Sequence, residues 1–505
     1  MKSRYARYRG LGKYLAGATA ARAGDEMSGP ALLLLGFAVT GRPSAGSELL
    51  ASLTIAAAAG GPLFGALLDR SRRPDRLLAA TLAAYAIGII AIATTMGRLP
   101  IAVVVLIALA AGLFNPAVAG GWTAQLPRIV TGRELDRGSA LDAMTYSAAS
   151  LAGPALAALL AAWFGARPAV ITAAALVALA GPAALWLSRY PPPARGPVPA
   201  PHRQVAAGFA AILTRRLLRR ATLTSVISFT GVGMFLVCCP VLGADRLGTS
   251  ARGALLISAM AAASLTANAI LARRPRRGEP DVRILIGTLM LGAGLAAAAV
   301  APGWFTLAAV AIGGAGEGPQ LTALFAVRHR ESPEHMRGQI FTTAASLKIA
   351  GMAAGAALAG PLASRSVTGC LLMAGGVELT AAASYLLLSM GRGPRTRSAS
   401  NRCEAPHVPP EDTAQSGGGA DGRRVQRQPD RLGAGVRRGG RNAGSGRSAE
   451  RQRGVDSLVQ DGTTIAGKLR ANVAAYREAE RNAVGHIGQV NGELSGRGPD
   501  PGNHR

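Results

Sequence analysis

Charged and aromatic side chains are both scarce in this chain: of 505 residues only 16% are Asp, Glu, Lys or Arg and only 4% are Phe, Trp or Tyr. A soluble domain averages about 25% charged residues, whereas 49% of this chain is hydrophobic. That balance is unusual for a water-soluble protein and makes membrane the first class to test. Cysteine is rare too. Cys238 and Cys239 are adjacent in one apolar run, Cys370 lies in another and Cys403 in a polar tail, so no spacing fits a disulfide framework, a metal site or a redox pair. No G-x-x-x-x-G-K-[ST] loop occurs, which disfavours ATP-driven work by this chain alone. The net charge of +28 would suit nucleic acid only if the basic residues shared a soluble face. They fall instead in short bursts between long apolar runs. No enzymatic activity, cofactor, metal or nucleic-acid partner is expected.

What the chain has in abundance is apolar stretches rich in Ala, Leu, Gly and Val, whose small residues let membrane helices approach closely. A helix crossing the hydrocarbon core needs about 20 such residues. By that measure, spans are expected near 14–40, 47–68, 76–96, 100–121, 142–164 and 167–188, and again near 221–243, 251–272, 283–301, 303–325, 338–362 and 367–389. The fold class is therefore an all-α membrane protein with twelve transmembrane helices in two six-helix bundles. The expected organisation is a first half at 1–188, a central cytoplasmic loop at 189–220 rich in proline and arginine, a second half at 221–392 and a disordered basic tail at 393–505. Arg22, Asp25 and Glu26 interrupt the stretch after the basic N-terminus, so a cleaved leader is not expected.

The positive-inside rule agrees with this count. With the N-terminus in the cytoplasm, the outer connections hold only Arg42, Arg98, Arg167, Arg246, Arg252 and Arg365, and every other Lys or Arg before the tail, except Arg22 and Lys348, falls to the inner side. Both termini are then cytoplasmic, in a multi-pass protein of the plasma membrane. The halves also repeat. Gly65 to Arg70 at the end of span two matches Asn268 to Arg273 at the end of span eight, 203 positions on, and the same offset relates Pro116 to Pro319. Arg137-Gly138 and Arg337-Gly338 lie 200 positions apart and introduce spans five and eleven.

The connection between spans two and three reads Gly65-Ala-Leu-Leu-Asp69-Arg70-Ser-Arg-Arg73-Pro-Asp-Arg-Leu77. It resembles the signature loop of the major facilitator superfamily, G-x-L-x-D-R-x-G-R-R-x-x-L, with Arg72 in place of the second glycine and Pro74 in place of the second basic residue. With twelve spans and a basic central loop, the resemblance covers about residues 10–390 and is closest to the proton-coupled drug-efflux members. It implies that Gly65, Asp69, Arg70 and Arg73 form a conformational latch, with Asp69 meeting the start of span eleven and stabilising the outward-facing state. The second copy has Ala272 at the matching position, so the latch is asymmetric. Gly153-Pro154 in span five also resembles the G-P motif of antiporter members, although alanines replace its flanking glycines. A plain packing or kink role remains equally open.

Ionisable residues at membrane depth are costly and are functional candidates. If span one began after Glu26, only about 14 residues would remain, or about 21 Å, too short to cross. Arg22, Asp25 and Glu26 therefore sit within or near the hydrocarbon layer. Either acid can pair with Arg22 on the helix surface, leaving the other as the candidate for proton coupling, because burial disfavours an unpaired carboxylate. A purely structural Arg–acid cluster is the alternative. The resemblance places spans one and ten against a central cavity, which makes Glu317 a substrate-cavity candidate. Lys348, about 11 residues from the inner end of span eleven and so near the midplane at roughly 16 Å, is another, and the polar or aromatic Asn115, Gln125 and Tyr146 are further cavity candidates. Trp122 suits either the cavity or a membrane interface. Glu378 in span twelve reads as a structural residue, since the resemblance puts that helix at the periphery. The expected partners are protons, a small-molecule substrate and the lipid bilayer, in a monomer. The expected function is proton-coupled efflux of small amphipathic molecules by alternating access, with a proton-coupled metabolite importer or a non-transporting membrane receptor or assembly protein as alternatives.

Overall fold

The computed structural model describes residues 2–191, 201–273 and 279–390. The tail at 393–505 lies outside the described residues. Twelve long helices account for nearly all that is described. In the first half they are Lys2–Thr40, Pro43–Arg70, Pro74–Thr95, the interrupted segment beginning with Ile101–Gly112, Arg133–Phe164 and Ala166–Trp186. The second half has Arg216–Leu247, Gly253–Arg273, Pro280–Val300, Phe305–Glu331, Arg337–Ala363 and Val367–Met390. These are spans one to twelve in order. Ten are long and apolar enough to cross a membrane. The other two, spans one and ten, are helices of 39 and 27 residues that carry Arg22, Asp25 and Glu26, or Glu317 and Arg328.

Local chemistry explains where these helices begin and turn. Proline opens spans two, three and nine, where its missing N–H costs nothing and its fixed φ suits the first turn. Gly165, at a φ of 90°, makes the tight link between spans five and six, a conformation that favours glycine. Span four departs from the expected unbroken segment at 100–121. After Gly112 it continues only as single turns at Asn115–Ala117, Gly120–Thr123 and Leu126–Arg128. Pro116 and Pro127 cannot donate to the helix ladder and the Gly120-Gly121 pair weakens it further. The central loop, expected as a polar break, contains a further helix at Pro201–Thr214. Its buried Ile212 packs with Leu218 and Ile340.

One apolar core runs from Leu11 to Leu187 and another from Val232 to Ala374. Many large side chains face outward, among them Ile87, Leu106, Trp163, Leu179 and Leu387, a pattern that suits lipid rather than water. Between the halves, span two packs on span eleven and span five on span eight. These pairs exchange under the internal repeat, since two corresponds to eight and five to eleven.

Close approach of spans two and eleven depends on glycine. A Cβ at Gly65 would overlap the Gln339 backbone and the Thr342 side chain. Gly65→Val is expected to cost roughly 1–3 kcal/mol through overpacking, read as a lower Tm in detergent. Gly376→Val is the control, because an added Cβ there meets nothing within 4 Å; equal melting of the two variants would refute the steric argument.

Candidate functional site

Arg22, which is 2% exposed, sits at the centre of a polar cluster in the first half. Its two terminal nitrogens reach the two carboxylate oxygens of Asp142 at 2.9 and 3.2 Å, the bidentate geometry in which a guanidinium binds most strongly. Thr123 adds a contact at 2.9 Å and Thr145 a further one, while Tyr14 donates to Asp142 at 2.9 Å. The Tyr146 ring lies 3.7 Å from the guanidinium carbon. This corrects the expected pairing of Arg22 with Asp25 or Glu26. Spacing along span one permitted that pair, but Asp142 offers both oxygens in one plane and its own supporting donors. Asp142 escaped sequence reasoning because span five was expected to start there. The helix in fact starts at Arg133, which buries Asp142 nine residues inside it. The run Arg133-Glu-Leu-Asp-Arg following Gly132 was the available signal for the longer helix.

Asp25 is turned toward spans three and four. Its Oδ1 accepts from the Tyr85 hydroxyl at 2.7 Å and from Asn115 Nδ2 at 2.6 Å, and no cation lies within 4 Å of it among the described residues. The structure thus joins two of the expected residues, Asp25 and Asn115, through a third, Tyr85, that nothing in its apolar span had marked. The second half holds a related nest. At the same 203-residue offset, Ser228 stands for Asp25 and Thr288 for Tyr85. Gln320 donates to both, at 3.3 and 2.6 Å, and Ser228 donates to Glu378 at 3.0 Å. An acid serves both nests, but it comes from span one in the first and from span twelve in the second. Glu378 is completely buried, and its Oε2 has no hydrogen-bond partner among the described residues.

Charges from both halves meet between these nests. Glu26 lies near the Ser150 hydroxyl and within Coulombic reach of Lys348. Lys348 interacts in turn with Glu317. The Lys348 ammonium sits 4.2 Å from the Phe229 ring centroid and 5.4 Å from that of Tyr146, so aromatic faces flank it. Gly153 packs against Glu26, where an added Cβ would come within 2.8 Å of the Glu26 Cβ. Pro154 sits inside an unbroken helix. Gln125 is not part of this cluster. It is buried, and its Oε1 accepts from Arg128 at 2.9 Å. Trp122 is fully buried with its ring centroid 5.8 Å from that of Tyr14, which places it in the core rather than at an interface.

At the end of the bundle bearing the signature loop, Asp69 accepts from the backbone N–H groups of Gly338 and Gln339, each at 2.8 Å. These are orphan donors at the start of span eleven, where the helix dipole also favours a carboxylate. Gln339 reaches the other way with its side chain, donating to the Gln204 and Val205 carbonyls of the connecting helix at 2.9 and 3.0 Å. Gly65 allows the approach, whereas the Arg73 backbone N–H is bonded to Ser71 Oγ at 3.1 Å within its own loop. Arg70 closes span two as its last residue.

Comparison with known proteins bears on the fold and the family. Residues 14–356 match the family model of the Major Facilitator Superfamily. The chain is 27% identical over 389 residues to the uncharacterized MFS-type transporter y4rN of Sinorhizobium fredii, covering 75% of this chain and 94% of that one. Its fold is similar to that of the human organic anion transporter MFSD10 (TETRAN), with a TM-score of 0.63 at 16% identity over 75% of this chain and 99% of the other. It is similar also to a bacterial homologue of the iron transporter ferroportin in an outward-facing state, with a TM-score of 0.62 at 14% identity over 75% and 99%. A match of this extent across both halves places the protein: the chain belongs to the major facilitator superfamily of membrane transporters.

Proposed function

We propose that the protein is a proton-coupled secondary transporter that exports small amphipathic molecules across the plasma membrane by alternating access. In this reading the halves 1–188 and 221–392 rock against each other about a midplane site, joined by the 189–220 connection, and the protein works as a monomer with both termini in the cytoplasm. The observation that carries it is the meeting of Glu26, Glu317 and Lys348, half-buried charges from both halves that interact between spans one, ten and eleven. Ionisable residues of opposite sign at membrane depth are costly unless used, and a pair shared between halves must be remade whenever the halves move. Asp25 is the coupling residue, since its oxygen is held by neutral donors alone. Asp69 is the latch: its two hydrogen bonds to span eleven must break before that end of the bundle opens.

The test is uptake into inverted membrane vesicles under an imposed proton gradient, across a panel of amphipathic drugs and metabolites. Gradient-dependent accumulation of at least one drug, abolished by an uncoupler, is the expected result. Movement only in right-side-out vesicles would make the protein an importer, and no movement of any compound would end the transporter reading.

A further inference from the structure

Near the signature-loop end of span ten, the buried chemistry is unbalanced. Arg328 is 3% exposed, yet its Nε and Nη2 have no hydrogen-bond partner among the described residues, and no carboxylate there lies within 4 Å of it. These two nitrogens form the side edge of the guanidinium, whose parallel N–H groups match the two oxygens of a carboxylate. The neighbouring His329, 4% exposed, also has both ring nitrogens unpartnered, as does the Ser332 hydroxyl one turn on. The charged and titratable groups facing Arg328 are Tyr146, Lys348 and His329, with Arg337 beyond His329. None of them is an acid. An uncompensated buried charge is strongly destabilising, so this one calls for a negative partner from outside the described residues.

The surroundings also specify the rest of that partner. Phe325 lies one helical turn from Arg328, on the same face of span ten. Its ring centroid is 5.8 Å from that of Tyr146 and 6.2 Å from that of Phe341, and the His329 ring stacks on Phe341 at 4.5 Å. Aromatic rings from spans five, ten and eleven thus cluster one helical turn from the unpaired guanidinium edge. We infer that Arg328 is the recognition residue for an amphipathic organic anion, with a carboxylate on its Nε–Nη2 edge and an apolar body against Tyr146, Phe325 and Phe341. The inference rests on the transporter reading only in making that anion the cargo.

The test is binding of 2-naphthoate and of its uncharged isostere 2-naphthamide to the purified full chain in detergent, by titration calorimetry. Charge-assisted bonds to the guanidinium should favour naphthoate by roughly tenfold or more. Arg328→Gln should abolish that preference, and Arg328→Lys, which keeps the charge but not the fork, should retain only part of it. Without anion, Arg328→Gln should melt no lower than the parent, because it removes an unpaired charge; a merely structural arginine would instead lower Tm when replaced. Equal affinity for the two compounds, no naphthoate binding, an unchanged preference in Arg328→Gln, or a clear drop in its Tm would each overturn the proposal. Loss of naphthoate binding with vesicle transport intact condemns the anion site alone. Binding without gradient-driven transport condemns the transporter reading alone.

Discussion

Asp142→Asn is expected to destabilise the protein by roughly 3–5 kcal/mol, the usual cost of leaving one member of a buried ion pair uncompensated. The substitution preserves shape, so the loss isolates charge. Arg22 would keep its contacts with Thr123 and Thr145 but lose the bidentate anion that balances it. Water cannot replace that anion, since both side chains are at most 2% exposed. Combining Arg22→Met with Asp142→Leu should restore most of the stability, because exchanging a whole buried pair for apolar residues is often neutral or better. Thermal unfolding in detergent of the single and double variants gives the coupling energy directly. Additive losses would show that Arg22 and Asp142 do not stabilise the fold through each other.

This pair also marks where sequence reasoning reached its limit. All twelve spans were legible from length and apolar character, including spans one and ten, which carry buried charge. Those signals are local to one helix and survive any packing arrangement. Pairing between helices is not local. Arg22 had two acids within a turn of itself, but its partner lies 120 residues away on a helix whose start was placed nine residues too late. The helix break in span four was likewise hidden, because Asn115, Pro116 and the Gly120-Gly121 pair sit within an otherwise apolar run. Asn115 could be named as a polar residue at depth, but its neighbour Tyr85 could not, since one tyrosine in span three looks like any core residue until the two helices are placed side by side. Arg328 was counted with the basic loop after span ten. Only burial separates it from the exposed Arg330 two residues on.

Asp25→Asn is expected to reduce gradient-driven transport to the level of protein-free vesicles while leaving the fold intact. The reason lies in the nest. Tyr85 and Asn115 both donate to Asp25 Oδ1, and the amide oxygen of asparagine can accept the same two bonds, so the variant changes the ability to carry a proton and little else. Glu26→Gln should behave differently. Lys348 would retain Glu317 as a partner, so transport should be weakened rather than uncoupled. The decisive measurement pairs two assays on each variant: uptake driven by a proton gradient, and exchange of labelled for unlabelled substrate with no gradient. Exchange needs the halves to move around bound substrate but needs no net proton transfer. If Asp25→Asn exchanges substrate normally and fails only under the gradient, coupling resides at Asp25. Full gradient-driven uptake by Asp25→Asn would transfer that role elsewhere, and Glu378, the buried acid that accepts from Ser228 in the corresponding nest of the second half, would then be the residue to change.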